Sequence, residues 1–269
     1  MKKPVISERA DRSFMRLTFF LLFLVMLAGC APKAAFIPEP LPADIEKNLL
    51  ARLQESGDYF QSLKGLAKVQ VSTPDRSLRV NQAVLVERPH NLRTEVMGLF
   101  GQTYMILASN KEQLSVYLPQ SGDFYEGKPT SENLLKFMRL PFEVDDLVRI
   151  LLYQVPVVNP LYTEVSYTRE GNYQLNLHAE SQYRQVAVFS PDLRLLSSAY
   201  FREKEKLLYI SYADFDNGTP AFPRQIAVEI SAGQTQAQLN FSEFATNVAI
   251  PSERFHLQVP QGVTISPLP

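Results

Sequence analysis

The chain has 269 residues, 45% of them hydrophobic and 20% charged, with a formal net charge of −1. This composition excludes a disordered chain, and the absence of a basic block excludes nucleic acid as a partner class. A single cysteine excludes an internal disulfide, so stability has to come from a packed core.

In chain order, a basic segment (Lys2, Lys3, Arg9, Arg12, Arg16) precedes an apolar run from Leu17 to Leu27 that only Thr18 interrupts. That order is a signal peptide's, and the run is too short to span a bilayer comfortably. It ends in Leu27-Ala28-Gly29-Cys30, a bacterial lipobox: small residues fit a peptidase site in extended form, and the Cys30 sulfur can carry diacylglycerol. Cleavage leaves Cys30 as an acylated first residue, palmitate being an expected acyl group. The competing reading is an uncleaved anchor with an incidental cysteine. Residues 1–14 carry no weight, because Met15-Arg16 would by itself begin an ordinary signal peptide.

With residues 1–29 read as the signal peptide, the five basic and two acidic residues lost leave 22 basic against 26 acidic, a net of −4. Residues 30–43 are expected to be the lipidated cysteine and an extended tether, since Ala31 to Pro42 holds four prolines. Ala31, and not Asp, follows the cysteine; under the lipoprotein-sorting rule of enterobacteria this implies the periplasmic face of the outer membrane, held through the N-terminal lipid. Residues 44–269 are then expected to form a single domain.

Asp44 to Tyr59 is predicted as a helix, with Ile45, Leu49, Leu50 and Leu53 near the helical period. From Gly65 the pattern alternates, predicting strands over 66–72, 78–88, 92–97, 104–109, 114–118 and 124–126, separated by turn residues such as Ser121-Gly122-Asp123. Two helices follow, 131–140 and 144–153, separated by Pro141. Strands resume over 162–169, 173–179, 183–190, 195–203, 206–215, 224–231 and 235–244, with a last one at 255–259. The predicted class is mainly β, within α+β: a large curved antiparallel sheet or half-open β-barrel with a helical lid.

One side of that sheet would carry Val80, Val84, Val86, Leu92, Val96, Tyr104, Ile106, Leu175, Leu177, Ile226, Val228, Ile230, Ala237, Leu239 and Phe241. Alternation reports burial and not emptiness, so on pattern alone a filled core is favoured over a cavity. No catalytic residue emerges. His90, His178 and His256 are isolated, no nucleophile, metal or phosphate motif occurs, and Asp145-Asp146 suits the first turn of a helix. No enzyme activity, metal or cofactor is expected.

The stretch from Leu63 to Pro156 resembles the Lol-type lipoprotein carriers and receptors, LolB more than LolA. The resemblance rests on Gly65-Leu66-Ala67, on Val96-Met97-Gly98-Leu99-Phe100-Gly101 and on Ser131-Glu132-Asn133-Leu134-Leu135. Leu140-Pro141-Phe142-Glu143-Val144-Asp145-Asp146-Leu147 and Val228-Glu229-Ile230-Ser231-Ala232-Gly233 extend it, all in order after a lipobox. Departures are the absence of Trp, extra strands between Tyr162 and Glu203, and a carrier-like tail from Val248 to Pro269.

The resemblance implies an apolar interior that takes acyl chains of lipoproteins or lipids from a periplasmic lipoprotein carrier, in a monomer. Its acyl-chain cavity would draw on Val80, Val84, Val86, Val96, Ile106, Leu147, Ile150, Leu151, Leu175, Leu177, Val228 and Leu239. Leu99 and Phe100 would form a membrane-insertion loop; the alternative is that both fold back on the core. A structural or scaffold lipoprotein with a filled barrel is the competing function, its interface the sheet edge or a surface of Tyr162, Tyr167, Tyr173, Tyr183, Tyr200, Tyr209 and Tyr212.

Overall fold

The computed structural model describes residues 39–269 except 56, 57, 99 and 233. Cys30, the expected signal peptide and most of the expected tether therefore lie outside the described residues.

Helix α1 (Ile45–Glu55) turns Ile45, Leu49 and Leu53 inward. A first meander follows: β1 (Ser62–Thr73), β2 (Arg76–Glu87), β3 (Asn91–Met97), β4 (Thr103–Ser109), β5 (Leu114–Leu118) and β6 (Asp123–Gly127). Helices α2 (Ser131–Met138) and α3 (Val144–Leu151) interrupt it. The Thr130 hydroxyl accepts from the Asn133 amide at the start of α2, and Pro141 keeps the two helices apart. A second meander comprises β7 (Tyr162–Tyr167), β8 (Tyr173–His178), β9 (Tyr183–Phe189), β10 (Leu195–Arg202), β11 (Glu205–Phe215), β12 (Pro223–Ile230) and β13 (Thr235–Thr246).

β13 pairs with β1 from Thr246 opposite Leu63 to Gln236 opposite Ser72, which joins the two meanders into one sheet. A bulge at Leu66/Ala67 bends this seam. With β14 (Ile265–Pro267) the sheet has 14 strands in the order β14-β6-β5-β4-β3-β2-β1-β13-β12-β11-β10-β9-β8-β7. Its end strands do not pair with each other, so the curved sheet stays open.

Two expectations change. The sheet is mixed, because β14 runs parallel to β6; Gly127 makes room for it, since a Cβ there would come within 2.5 Å of Leu268 Cβ. Residues 255–259 form no strand. Pro251 and Pro260 flank them, and the chain makes a single 3-10 turn (Ser252–Phe255) that buries Phe255.

The inner face of the sheet carries the core. α1 packs on β7 and β8, and α3 on β2 and β3. Between them sit Phe60, Tyr153, Tyr212, Phe222 and Phe241, with Phe60 4.9 Å from Phe222 and Tyr153 4.9 Å from Tyr212, both edge to face. Tyr153 Oη donates to the Leu195 carbonyl (2.9 Å) and Tyr212 Oη to that of Ile150 (3.2 Å), tying the end of α3 to the sheet. Burial raises both phenols above their ordinary value, so they remain donors.

The chain leaving α3 is anchored by Gln185, fully buried on β9. Its Oε1 accepts from the Val158 amide (3.0 Å), and its Nε2 reaches the Pro156 carbonyl (3.0 Å) and Ser198 Oγ (2.9 Å). Removing that amide leaves the half-buried Val158 amide without its side-chain partner and takes one partner each from the Pro156 carbonyl and the buried Ser198 hydroxyl. Gln185→Ala is expected to lower unfolding free energy by about 2–4 kcal/mol, measured by urea denaturation; a loss below about 0.5 kcal/mol would show that the anchor is dispensable.

Candidate functional site

Where α2 and α3 cross the inner face of β1 to β4, the core is not filled. A cavity of about 420 Å³ lies there, within the usual range for small-molecule pockets. Its floor is the inward face of β2, on which Leu78, Val80, Gln82, Val84 and Val86 alternate with outward residues. Val84 and Leu92 are buried at its closed end, and Leu78 is 56% exposed at its mouth. Val69 and Val71 from β1 and Ala237 and Leu239 from β13 form one wall, with Val96 and Met105 opposite. Phe137, Met138, Leu140, Leu147 and Leu151 form the roof. α3 is amphipathic enough to serve both layers: Leu147 and Leu151 face the cavity while Val148 and Ile150 are sealed in the core.

Of the residues predicted to form an acyl-chain cavity, Val80, Val84, Val96, Leu147, Leu151 and Leu239 line it. The other six do not. Val86 pairs with Leu63 and Leu92 beyond the closed end and has no exposure. Ile150 is in the core under Tyr212. Leu175 and Leu177 lie on β8, the strand that α1 covers, and Val228 is packed in the second meander. Ile106 points outward for a register reason. Val96 pairs with Met105 and Glu95 with Ile106, and paired residues share a face, so Met105 enters the cavity and Ile106 does not. Tyr104 is on the same outer face and is exposed.

Sequence reasoning missed the polar parts of the lining. Gln82 and Thr94 sit on its walls, and Arg76, Lys136 and Arg139, all exposed, ring its mouth. Arg139 ends α2 in the left-handed region (φ 62°, ψ 18°), where glycine is the usual residue. The signal available in the sequence was its place between Met138 and the Leu140-Pro141 break.

The second predicted element, the β3–β4 hairpin tip, is built by two glycines. A Cβ on Gly98 would lie 2.4 Å from the Tyr104 ring, and Gly101 has φ +79°. The Gly98 amide donates to the Gln102 carbonyl (2.8 Å), and Gln102 Oε1 accepts from the Phe100 amide (3.1 Å). Phe100 is thereby held 92% exposed, so it does not fold back on the core; Leu99 lies outside the described residues. Asn81 of β2 pairs with Met97, which places this tip at the same end of the sheet as Arg76, Leu78 and the cavity mouth.

The titratable groups elsewhere are dispersed. His90 Nδ1 is 2.6 Å from Asp145 Oδ1 and joins the β2–β3 turn to α3. His178 stacks on Tyr162 at 4.3 Å, and His256 meets Asn110. Burial raises the Asp146 carboxyl above its ordinary value, and Arg149 at 3.5 Å opposes the shift. No cluster of three potential metal ligands occurs among the described residues.

The sequence matches no protein-family model and no curated protein. Solved structures do match in fold. A LolA superfamily protein from Nitrosomonas europaea superposes with TM-score 0.52 at 13% identity, over 79% of this chain and 97% of its own. A DUF1329 family protein from Desulfovibrio piger gives TM-score 0.52 at 15% identity, over 80% and 97%. The fold is thus of the Lol type, an open curved sheet with a helical cover, as the resemblance in the sequence implies.

The Thr94 hydroxyl, on a residue 1% exposed, has no hydrogen-bond partner among the described residues. An unpaired hydroxyl against an apolar wall is costly, so Thr94→Val is expected to raise the unfolding free energy of the ligand-free protein by about 1 kcal/mol. Chemical denaturation checks this, and a destabilisation of that size would mean that the hydroxyl is satisfied in solution.

Proposed function

We propose that the protein is a lipid-anchored lipoprotein of the outer membrane, on its periplasmic face, that receives acyl chains of lipoproteins or lipids in the cavity and helps pass them into the membrane. The observation that carries the reading is the apolar cavity of about 420 Å³ beneath α2 and α3. Burial is worth about 0.8 kcal/mol per methylene, so an acylated protein moves only between apolar sites in contact. A periplasmic lipoprotein carrier is the natural donor. The protein from Nitrosomonas europaea, whose name places it in the LolA superfamily, shares the fold on which this reading rests. Transfer of this kind needs no covalent step, and we read the protein as a monomer without enzyme activity.

The scaffold reading draws less support. Its tyrosine surface does not exist as one face: Tyr212 is buried, and the Tyr200 hydroxyl donates to the Pro156 carbonyl inside the structure.

Phe100 supplies the delivery step, because an aromatic ring exposed to water at a hairpin tip gains by entering lipid. Full burial of such a side chain is worth about 1.5–3 kcal/mol. Phe100→Asp is therefore expected to slow release of a bound fluorescent acyl probe into vesicles by about tenfold while leaving probe affinity unchanged. Unaltered release would remove the loop from the mechanism.

A further inference from the structure

The cavity mouth has a chemistry that the acyl-chain reading does not require. Its exposed rim carries Arg76 from the start of β2 and Lys136 and Arg139 from the end of α2. No Asp or Glu lines the cavity. None of the three cations is in an ion pair among the described residues; Lys136 Nζ has only Asn133 Oδ1 at 3.5 Å. The acids nearest in sequence, Asp75 beside Arg76, Glu132 four positions before Lys136 and Glu143 four after Arg139, form no ion pair with them among the described residues. Three unpaired cations around one opening keep a positive potential there, focused by the apolar walls behind it.

The backbone adds a second observation. Arg139 occupies a left-handed position, φ 62°, at the end of α2, where glycine is the commonest residue. A glycine there would end α2 with less strain.

The floor from Leu78 to Val84 covers six residue steps, about 20 Å at 3.3 Å each. That is of the order of the half-thickness of a bilayer's hydrocarbon core, about 15 Å, so an acyl chain lying along β2 with its methyl end at Val84 brings its head to the mouth end of the floor.

We propose that the cavity selects amphiphiles with an anionic head, a carboxylate or phosphate seated on Arg76, Lys136 and Arg139 above an acyl chain running toward Val84. This rests on the acyl-chain reading and adds the class of head. An N-acylated, diacylglyceryl-linked cysteine has no such head, so the preferred occupant is a free fatty acid or an acidic phospholipid.

The test is displacement of a fluorescent acyl probe from the purified protein by four ligands: hexadecanoate, hexadecyl phosphate, hexadecanol and inorganic phosphate. Three partly exposed cations acting together are expected to favour each anionic amphiphile over hexadecanol by about tenfold at low salt, with the preference shrinking as salt rises. Inorganic phosphate is expected to displace nothing, since it lacks the chain. In the variant Arg76→Gln with Arg139→Gly the preference should fall below about twofold while hexadecanol affinity is retained, and the thermal midpoint should not fall, because glycine suits position 139.

Equal affinity for hexadecanol and hexadecanoate, or a preference unchanged in the variant, overturns the proposal and leaves the acyl-chain reading standing. Failure of all three amphiphiles to displace the probe overturns both. A variant that loses sedimentation with phosphatidylglycerol vesicles but keeps its hexadecanoate preference would assign the cations to the membrane surface instead, and the proposal would fall.

Discussion

A sheet of 14 strands presents one continuous apolar face, and among the described residues three short α-helices lie over it. At about 4.8 Å per strand the sheet is about 65 Å across along its curve. The helices have 11, 8 and 8 residues, or about 16, 12 and 12 Å of length at 1.5 Å per residue. Curvature and large side chains close most of the difference. Over the second meander the aromatic group around Phe222 and Tyr153 fills the space, and α1 seals β7 and β8. Over β1 to β4 the inward residues are mostly valines and leucines, with Gln82, Thr94 and Met105 and no aromatic from the sheet among the lining, the roof is two helices of two turns each, and a cavity remains. The candidate function follows from that shortfall of cover more than from any single residue.

The seam between β1 and β13 makes the shortfall possible. Two separate sheets could pack face to face and bury their apolar sides mutually, as in a sandwich. Joined edge to edge they cannot, and the interior must be covered by helices or by something brought from outside. The bulge at Leu66/Ala67 and the close approach of Gly65 to Phe241 and the Glu243 carbonyl, 3.0 Å from a Cβ placed there, hold this join in its bent form. Curvature, cavity and open edges are therefore consequences of one pairing.

Much of this was legible in the residues because strand alternation and helix period are local. The strand series, the two helices around Pro141 and the turn at Ser121-Gly122 follow from spacing. Register is not local, and there the reading slipped by one residue: Ile106 and Met105 are both apolar, and only the pairing of Val96 with Met105 tells which enters the cavity. Emptiness is not local either. Val84 and Leu177 have the same pattern around them, yet one faces a gap and the other faces α1. The rim is the extreme case, since Arg76 and Arg139 are 63 positions apart in the chain and meet only through the placement of α2. β14 escaped for a related reason: three residues between prolines and a turn carry no periodic signal, and their strand character comes from the free edge of β6.

The central claim is that the gap beneath α2 and α3 is filled by a foreign acyl chain. It is tested most directly by native mass spectrometry of residues 30–269 with Cys30→Ala, exported to the periplasm and purified without detergent, beside a Val84→Trp form in which an indole occupies the closed end. The account predicts about one acyl-bearing molecule per protein in the first and none in the second, with both folded. Protein free of ligand in the first form, at full stability, would contradict it.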